Sequence, residues 1–227
     1  MTDPGAPYLL LVGAGPGLGV AIARRFGRER FRLGLISRSE RSLAPVVAEL
    51  AAEGLDVHTA LGEAGDTASL RAAVDALTGV LGVPDVLVYN VAATPRGGPT
   101  DVDPATVVRA LTIFGGGLVD AVQAVVPGMR ERRRGTILVT GSGVAFDPWV
   151  EVVALGMGKA AQRNYVNALY REVIDDEVYA ATVTIRGVLA PGTPFDPALV
   201  AEEFWAAHRR PREDWEWEIT YRGTPEP

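Results

Sequence analysis

With 227 residues, 48% of them hydrophobic and 22% charged, the chain suits one α/β domain with a sizeable core, and its composition argues against disorder. A formal net charge of −6 argues against a nucleic-acid partner held by phosphate neutralisation and reads as plain solubility. The lack of cysteine excludes disulfides, thiolate metal sites and cysteine nucleophiles, and two histidines, His58 and His208, are too few for a histidine-rich metal site.

In chain order, the apolar run "YLLLVGAG" (8–15) predicts a buried strand bounded by Pro7 and glycines, and residues 18–30 follow with helical spacing. A strand over 31–39, a helix over 42–54 and a strand over 55–62 come next. The helix over 67–82 opens at Asp66 or Thr67 as N-cap, and a fourth strand covers 84–92. Asp103 and Pro104 open one long helix running to Met129. A strand over 135–142, a helix over 153–174, a strand over 179–190, a short helix over 197–210 and an alternating edge strand over 215–222 complete the chain. Strands alternating with helices at this spacing predict a single-domain, three-layer, doubly wound parallel sheet, the Rossmann fold. No apolar run approaches the roughly 20 residues that span a bilayer. The opening stretch has no basic n-region, so no signal peptide, no membrane partner and a cytoplasmic location are expected.

The segment "VGAGPGLG" (12–19) lies between the first strand and the first helix, where a dinucleotide-binding loop has to lie. Gly13 and Gly17 let the backbone turn and approach a pyrophosphate, Gly19 lets the helix pack on the sheet, and Gly15, Pro16 and Leu18 complete the loop. Glycines alone also mark ordinary turns; the strand–helix context favours the nucleotide reading. The second strand ends in Ser37-Arg38, where an acidic residue would bind both ribose hydroxyls of NAD. An arginine there pairs with a 2′-phosphate, so NADP(H) is the expected cofactor, with Arg41 as a possible helper.

Over nearly its whole length the chain resembles the short-chain dehydrogenase/reductase family. The glycine motif at 12–19 is similar to the family's opening motif. "YNVA" (89–92) is similar to its Asn-Asn-Ala-Gly stretch, which places Asn90, Val91 and Ala92 beside the cofactor. "TGS" (140–142) puts Ser142 at the catalytic serine, Lys159 matches the catalytic lysine that binds the nicotinamide ribose, and "APG" puts Pro191 and Gly192 at the turn beside the nicotinamide. The resemblance fails at the chemistry. The family's proton-transferring tyrosine, four residues before the lysine, is Leu155, and its helix asparagine is Phe114. Pro194, without an N–H, stands where the turn normally binds the nicotinamide amide.

Replacements for the tyrosine can be weighed one by one. Asp147 and Glu151 lie in the loop near the mouth of the site, where carboxylates are usually solvated; Tyr165 is about 15 Å further along the helix. Tyr89 is next to Asn90 but equally suited to the core. His208, one turn after Trp205, either closes over the pocket or sits on a helix surface, and His58 has no evident partner. Residues 193–227 are expected to form a short lid helix and a tail or edge strand, with Trp215 and Trp217 in a subunit interface or on their own sheet. Phe114 and Leu155, with Trp149, predict a hydrophobic substrate pocket for a lipophilic small molecule. The glycine- and alanine-rich faces of the long helices predict a homodimer or homotetramer. Two functions stay open: an NADPH-dependent reductase of an activated C=C, C=N or C=O, or a protein that keeps the fold but performs non-redox chemistry or only binds a partner.

Overall fold

A computed structural model describes residues 5–223; residues 1–4 and 224–227, the outermost ends of the opening stretch and of the tail, lie outside the described residues. Seven strands form one sheet in the order β3-β2-β1-β4-β5-β6-β7, and every pairing is parallel. The strands are β1 (Tyr8–Val12), β2 (Arg32–Ser37), β3 (Val57–Leu61), β4 (Val86–Tyr89), β5 (Gly135–Ser142), β6 (Val178–Ile185) and β7 (Glu218–Tyr221). The helices are α1 (Leu18–Arg28), α2 (Glu40–Ala52), α3 (Thr67–Leu81), α4 (Pro104–Leu111), α5 (Gly117–Glu131), α6 (Val153–Val173) and α7 (Pro197–Arg209).

Burial follows from position in the sheet. β1, β4 and β6 are buried at every residue, because helices cover both faces of a parallel sheet, whereas edge strand β3 is only partly buried. One core lies between the sheet and α1, α2 and α7, the other between the sheet and α3, α5 and α6. The expected caps are made: Asp66 accepts from Ser69 N at 3.0 Å and Asp103 from Ala105 N at 3.0 Å, with Pro104 in the first turn. β1 lies inside the sheet, with β2 on one side and β4 on the other, so the strand order reverses there and opens a crevice at the strands' C-terminal ends.

Three expectations need correction. The long helix is not regular: Thr112–Gly116 form a π-turn between α4 and α5, in which Gly117 N donates to Thr112 O. Tyr89 Oη donates to Ile113 O at 2.5 Å, satisfying a carbonyl that the π-turn takes out of the helical ladder. The whole stretch Pro104–Glu131 is 28 residues long and apolar enough to cross a bilayer by composition, contrary to the sequence reading. Its apolar residues Leu118, Ala121, Val122, Val125 and Met129 face the sheet. Finally, α7 is not a lid. Its buried face, Val200, Ala201, Phe204 and Ala207, packs in the core shared with α1, on the layer opposite α6.

The aromatic tail packs on its own chain. Trp215 stacks on Tyr179 at 4.8 Å, and the Arg163 guanidinium lies 4.8 Å from the centre of the Trp217 ring while also pairing with Glu218. His58 has a partner, Asp56 Oδ1 at 3.1 Å. His208 neither closes a pocket nor lies on an open surface. It sits among Phe26, Phe31 and Trp205, with Nδ1 3.0 Å from Thr136 Oγ1. Burial, helped by Arg209, lowers its pKa from 6.5 to about 4. Because the folded value is depressed, unfolded chains bind more protons between these values. The stability held by neutral His208 is full above about pH 6.5 and drains as pH falls towards 4, by about 1.4 kcal/mol per unit and up to about 3 kcal/mol. Urea unfolding at pH 7 and pH 5 should therefore show a smaller loss in His208→Phe than in the wild type; equal losses would count against the assignment.

Candidate active site

A cavity of about 710 Å³ opens at the C-terminal ends of the strands, along the crevice beside β1. At one end it is lined by Gly13, Gly15, Pro16, Leu18 and Gly19, and by Ser37 and Arg38 at the end of β2. Gly13 has φ +91°, and a Cβ there would overlap the Asn90 backbone, so only glycine brings the loop this close to β4. Gly17, at φ +90°, is the N-cap of α1 and supplies no side-chain cap, leaving the helix start for an anion. A Cβ at Gly15 would stand in open space on the cavity wall, which is where a bound group would have to approach. These residues fit a dinucleotide pyrophosphate. Arg38 is exposed and, among the described residues, makes no ion pair; Arg41 does not line the cavity.

Asn90 holds the middle of the site together. Its Nδ2 donates to Gly13 O at 3.1 Å, and its Oδ1 accepts from Thr140 Oγ1 at 2.8 Å, tying the loop after β1 to β5. Val91 and Ala92 continue along the wall. The far end is formed by Ser142 on β5, Trp149 in the following loop, Leu155 and Lys159 one turn apart on α6, and residues 185–189 at and beyond the end of β6.

Lys159 is the only lysine in the chain; the other 21 of the 22 basic residues are arginines. It is 6% exposed. Its Nζ donates to Thr140 O at 2.7 Å and to Gln162 Oε1 at 2.9 Å, and lies 4.6 Å from the centre of the Phe114 ring. Burial without a carboxylate partner lowers its pKa from 10.5 to about 7.

The structure brings most of the sequence-derived site together, but not all of it. Phe114 does not line the cavity: the π-turn puts its fully buried ring behind Lys159 and against Gly158, where a Cβ would overlap it. Pro191 and Gly192 are exposed and outside the lining, because β6 ends at Ile185 and the chain reaches the wall with residues 185–189 instead. Pro194 turns away, its carbonyl accepting from Tyr221 Oη at 2.8 Å. Tyr89 is a core residue. Asp147 reaches the cavity rim, but its side chain is 73% exposed and lies 3.6 Å from Arg186. Sequence reasoning missed Gln162 and the Thr140 carbonyl. A glutamine on the buried face of a helix, three residues after the lysine, was the available signal.

A doubly wound parallel sheet with a glycine-lined crevice at its switch point is the architecture of dinucleotide-binding α/β proteins. Comparison with known proteins narrows this class. The model of the short chain dehydrogenase family matches residues 8–195, and the chain belongs to that family of oxidoreductases, whose members use a nicotinamide cofactor. It is 30% identical over 203 residues to dehydrogenase/reductase SDR family member 4 of Oryctolagus cuniculus, covering 87% of this chain and 75% of that one. Two longer curated relatives are matched over only 35% and 34% of their length.

Among solved structures, a metagenomic short-chain oxidoreductase in complex with NADP has a TM-score of 0.86 at 20% identity, covering 98% of this chain and 100% of that one. A short-chain oxidoreductase from Pseudomonas aeruginosa PAO1, containing an atypical catalytic centre, has a TM-score of 0.84 at 16% identity, covering 98% of each chain. At these identities the likeness is one of fold.

Proposed function

We propose that this protein is an NADP(H)-dependent reductase acting on a lipophilic small molecule through an activated C=C, C=N or C=O, without a tyrosine acid. The observation that carries this reading is the contrast between the two ends of one cavity. The cofactor end has its glycine cradle, an uncapped helix start and an Arg38 that makes no ion pair among the described residues, while the reaction end has Leu155 where the tyrosine would be. The NADP-bound neighbour supports the choice of cofactor.

The cofactor supplies a hydride when bound. Around it, Arg38 would meet a 2′-phosphate, Asn90 ties the wall together, and Lys159 would hold ribose hydroxyls. Ser142 offers a hydroxyl at the reaction end. Val144, Trp149, Leu155, Ile185, Val188 and Leu189 make that end apolar, with Trp149, Val188 and Leu189 exposed at its rim. Activated substrates fit such a site because they need less help from a protein acid. Fluorescence titration should show NADPH binding about ten- to a hundredfold more tightly than NADH, the worth of one charge-assisted contact. Arg38→Ala should remove the preference. Equal affinities in the wild type overturn the cofactor assignment.

The second reading, non-redox chemistry on the retained fold, is favoured by the turn that ends in Pro194. Pro194 has no N–H, its carbonyl is taken by Tyr221, and neither Pro191 nor Gly192 reaches the cavity. Tight NADPH binding without oxidation in the presence of enones, imines and ketones decides for it.

A further inference from the structure

We propose that Gln162 is the positioning residue of this site: its amide holds Lys159 in either protonation state and makes the lysine the group that exchanges protons with the cavity. Gln162 is 1% exposed, its Oε1 accepts from Lys159 Nζ, and its buried Nε2 has no hydrogen-bond partner among the described residues. An orphaned buried N–H group is costly, so its presence here calls for a reason. The lysine provides one. While Nζ is an ammonium, the amide must turn its oxygen towards it. When Nζ loses a proton it gains a lone pair, and a half-turn of the amide presents Nε2–H to it. The same side chain then serves both states, and in each one end of the amide is left unpaired.

The surroundings leave this task to Gln162 alone. Thr140 contributes a carbonyl, which only accepts, and Phe114 contributes a ring face. The charged groups on the neighbouring elements are engaged elsewhere: Arg109 of α4 lies against Glu63, Arg163 of α6 is bound to Glu218 of β7, and Asp147 of the loop is beside Arg186. Asp175 and Asp176 are at the far C-terminal end of α6. The π-turn holds a phenylalanine where the family has an asparagine, and α6 holds a leucine where it has a tyrosine, so among the described residues Gln162 is the lysine's remaining side-chain hydrogen-bond partner. Burial places the lysine's titration near neutrality, where a proton can be given and regained.

The proposal rests on the reductase reading only for what the proton is used for; the titration of the lysine is read on the protein without cofactor or substrate. Because the chain has a single lysine, protein grown on ¹³C-labelled lysine gives one side-chain Cε signal, whose pH titration is followed in the wild type, Gln162→Met and Gln162→Glu. The charge-assisted bond is the stronger of the two that the amide makes, so Gln162→Met should lower the midpoint by about one pH unit. Gln162→Glu should raise it by at least as much. The uncharged variant is decisive: a midpoint that stays where the wild type has it, or rises, overturns the proposal. If Gln162→Met does not fold, Gln162→Asn, whose shorter amide cannot keep the contact, takes its place under the same criterion. The pH at which NADPH affinity falls should shift with the lysine midpoint in each variant, and an affinity profile that ignores the midpoint also overturns the proposal. Failure of NADPH to bind at all would defeat the reductase reading and leave the NMR result to decide this one.

Discussion

Lys159→Met is expected to make the protein more stable at neutral pH and, at the same time, a worse binder of NADPH. The lysine is 6% exposed with no carboxylate partner among the described residues, and its pKa is about 7 when folded against an ordinary value of 10.5. The folded value is depressed, so the unfolded chain binds more protons between these limits and stability rises with pH across the window. Below about pH 7 the full cost of burying the charge is present, an upper bound of about 5 kcal/mol at about 1.4 kcal/mol per unit. Methionine removes this cost and fills much of the same volume. It also leaves Gln162 Oε1 and Thr140 O without their donor, at about 1–3 kcal/mol in total. A net gain of roughly 1–3 kcal/mol corresponds to about 2–8 °C in Tm for a domain of this size. The gain should shrink as pH rises from 7, reach zero before about pH 10.5 and turn into a loss of about 1–3 kcal/mol above it, where the lysine is neutral in both states and only the missing donor counts. Loss of an ammonium from ribose hydroxyls should weaken NADPH binding about ten- to a hundredfold. Thermal unfolding at pH 6, 8 and 10, together with a cofactor titration, tests both halves. A lower Tm than the wild type at pH 6 would contradict the account of the lysine as a buried, functionally retained charge.

That trade-off explains why some of this site could be read from sequence and some could not. The glycine loop, Ser37-Arg38, Asn90 and Ser142 stand at the ends of strands and Lys159 in the first two turns of a helix, so finding the elements located the residues. The buried runs of β1, β4 and β6 and the Asp-Pro helix starts are local signals with local causes. The remainder depends on tertiary geometry. The match to the family's helix asparagine puts Phe114 on the cavity wall, whereas the π-turn over Thr112–Gly116 sets its ring behind the lysine. Gln162 looks like an ordinary polar helix residue until α6 is docked on β5. Resemblance places the turn at Pro191 and Gly192 against the site, but β6 ends at Ile185 and the ring of Phe195 fills the space over Gly187 just beyond it. The helix after it was read as a lid because the family has one there. Its apolar face, however, complements α1, where Arg25 bonds to Glu202 and lies 4.7 Å from the centre of the Trp205 ring.

Leu155→Tyr alone is expected to raise reduction of unactivated ketones by less than about tenfold, although it restores the residue type that normally contributes about 10²–10⁴ in rate. The reason lies on the other side of the lysine. Phe114 closes the space next to Nζ with a hydrocarbon ring, and Gly158 has no side chain because that ring lies against it. A tyrosine introduced on the cavity side would find a lysine with no polar route back to solvent past residue 114. Adding Phe114→Asn should open that route: the deleted ring leaves a void beside polar groups, the kind of space that holds water. The double variant is therefore expected to reduce ketones about 10²–10⁴-fold faster than Leu155→Tyr, with most of the gain in kcat. It should also be less stable by about 3–5 kcal/mol, the usual cost of removing a fully buried phenylalanine, so assays belong at low temperature with folding checked by circular dichroism. If the single Leu155→Tyr variant matches the folded double variant on the same ketones, Phe114 does not obstruct the lysine, and the chemistry of this site was lost or changed at residue 155 alone.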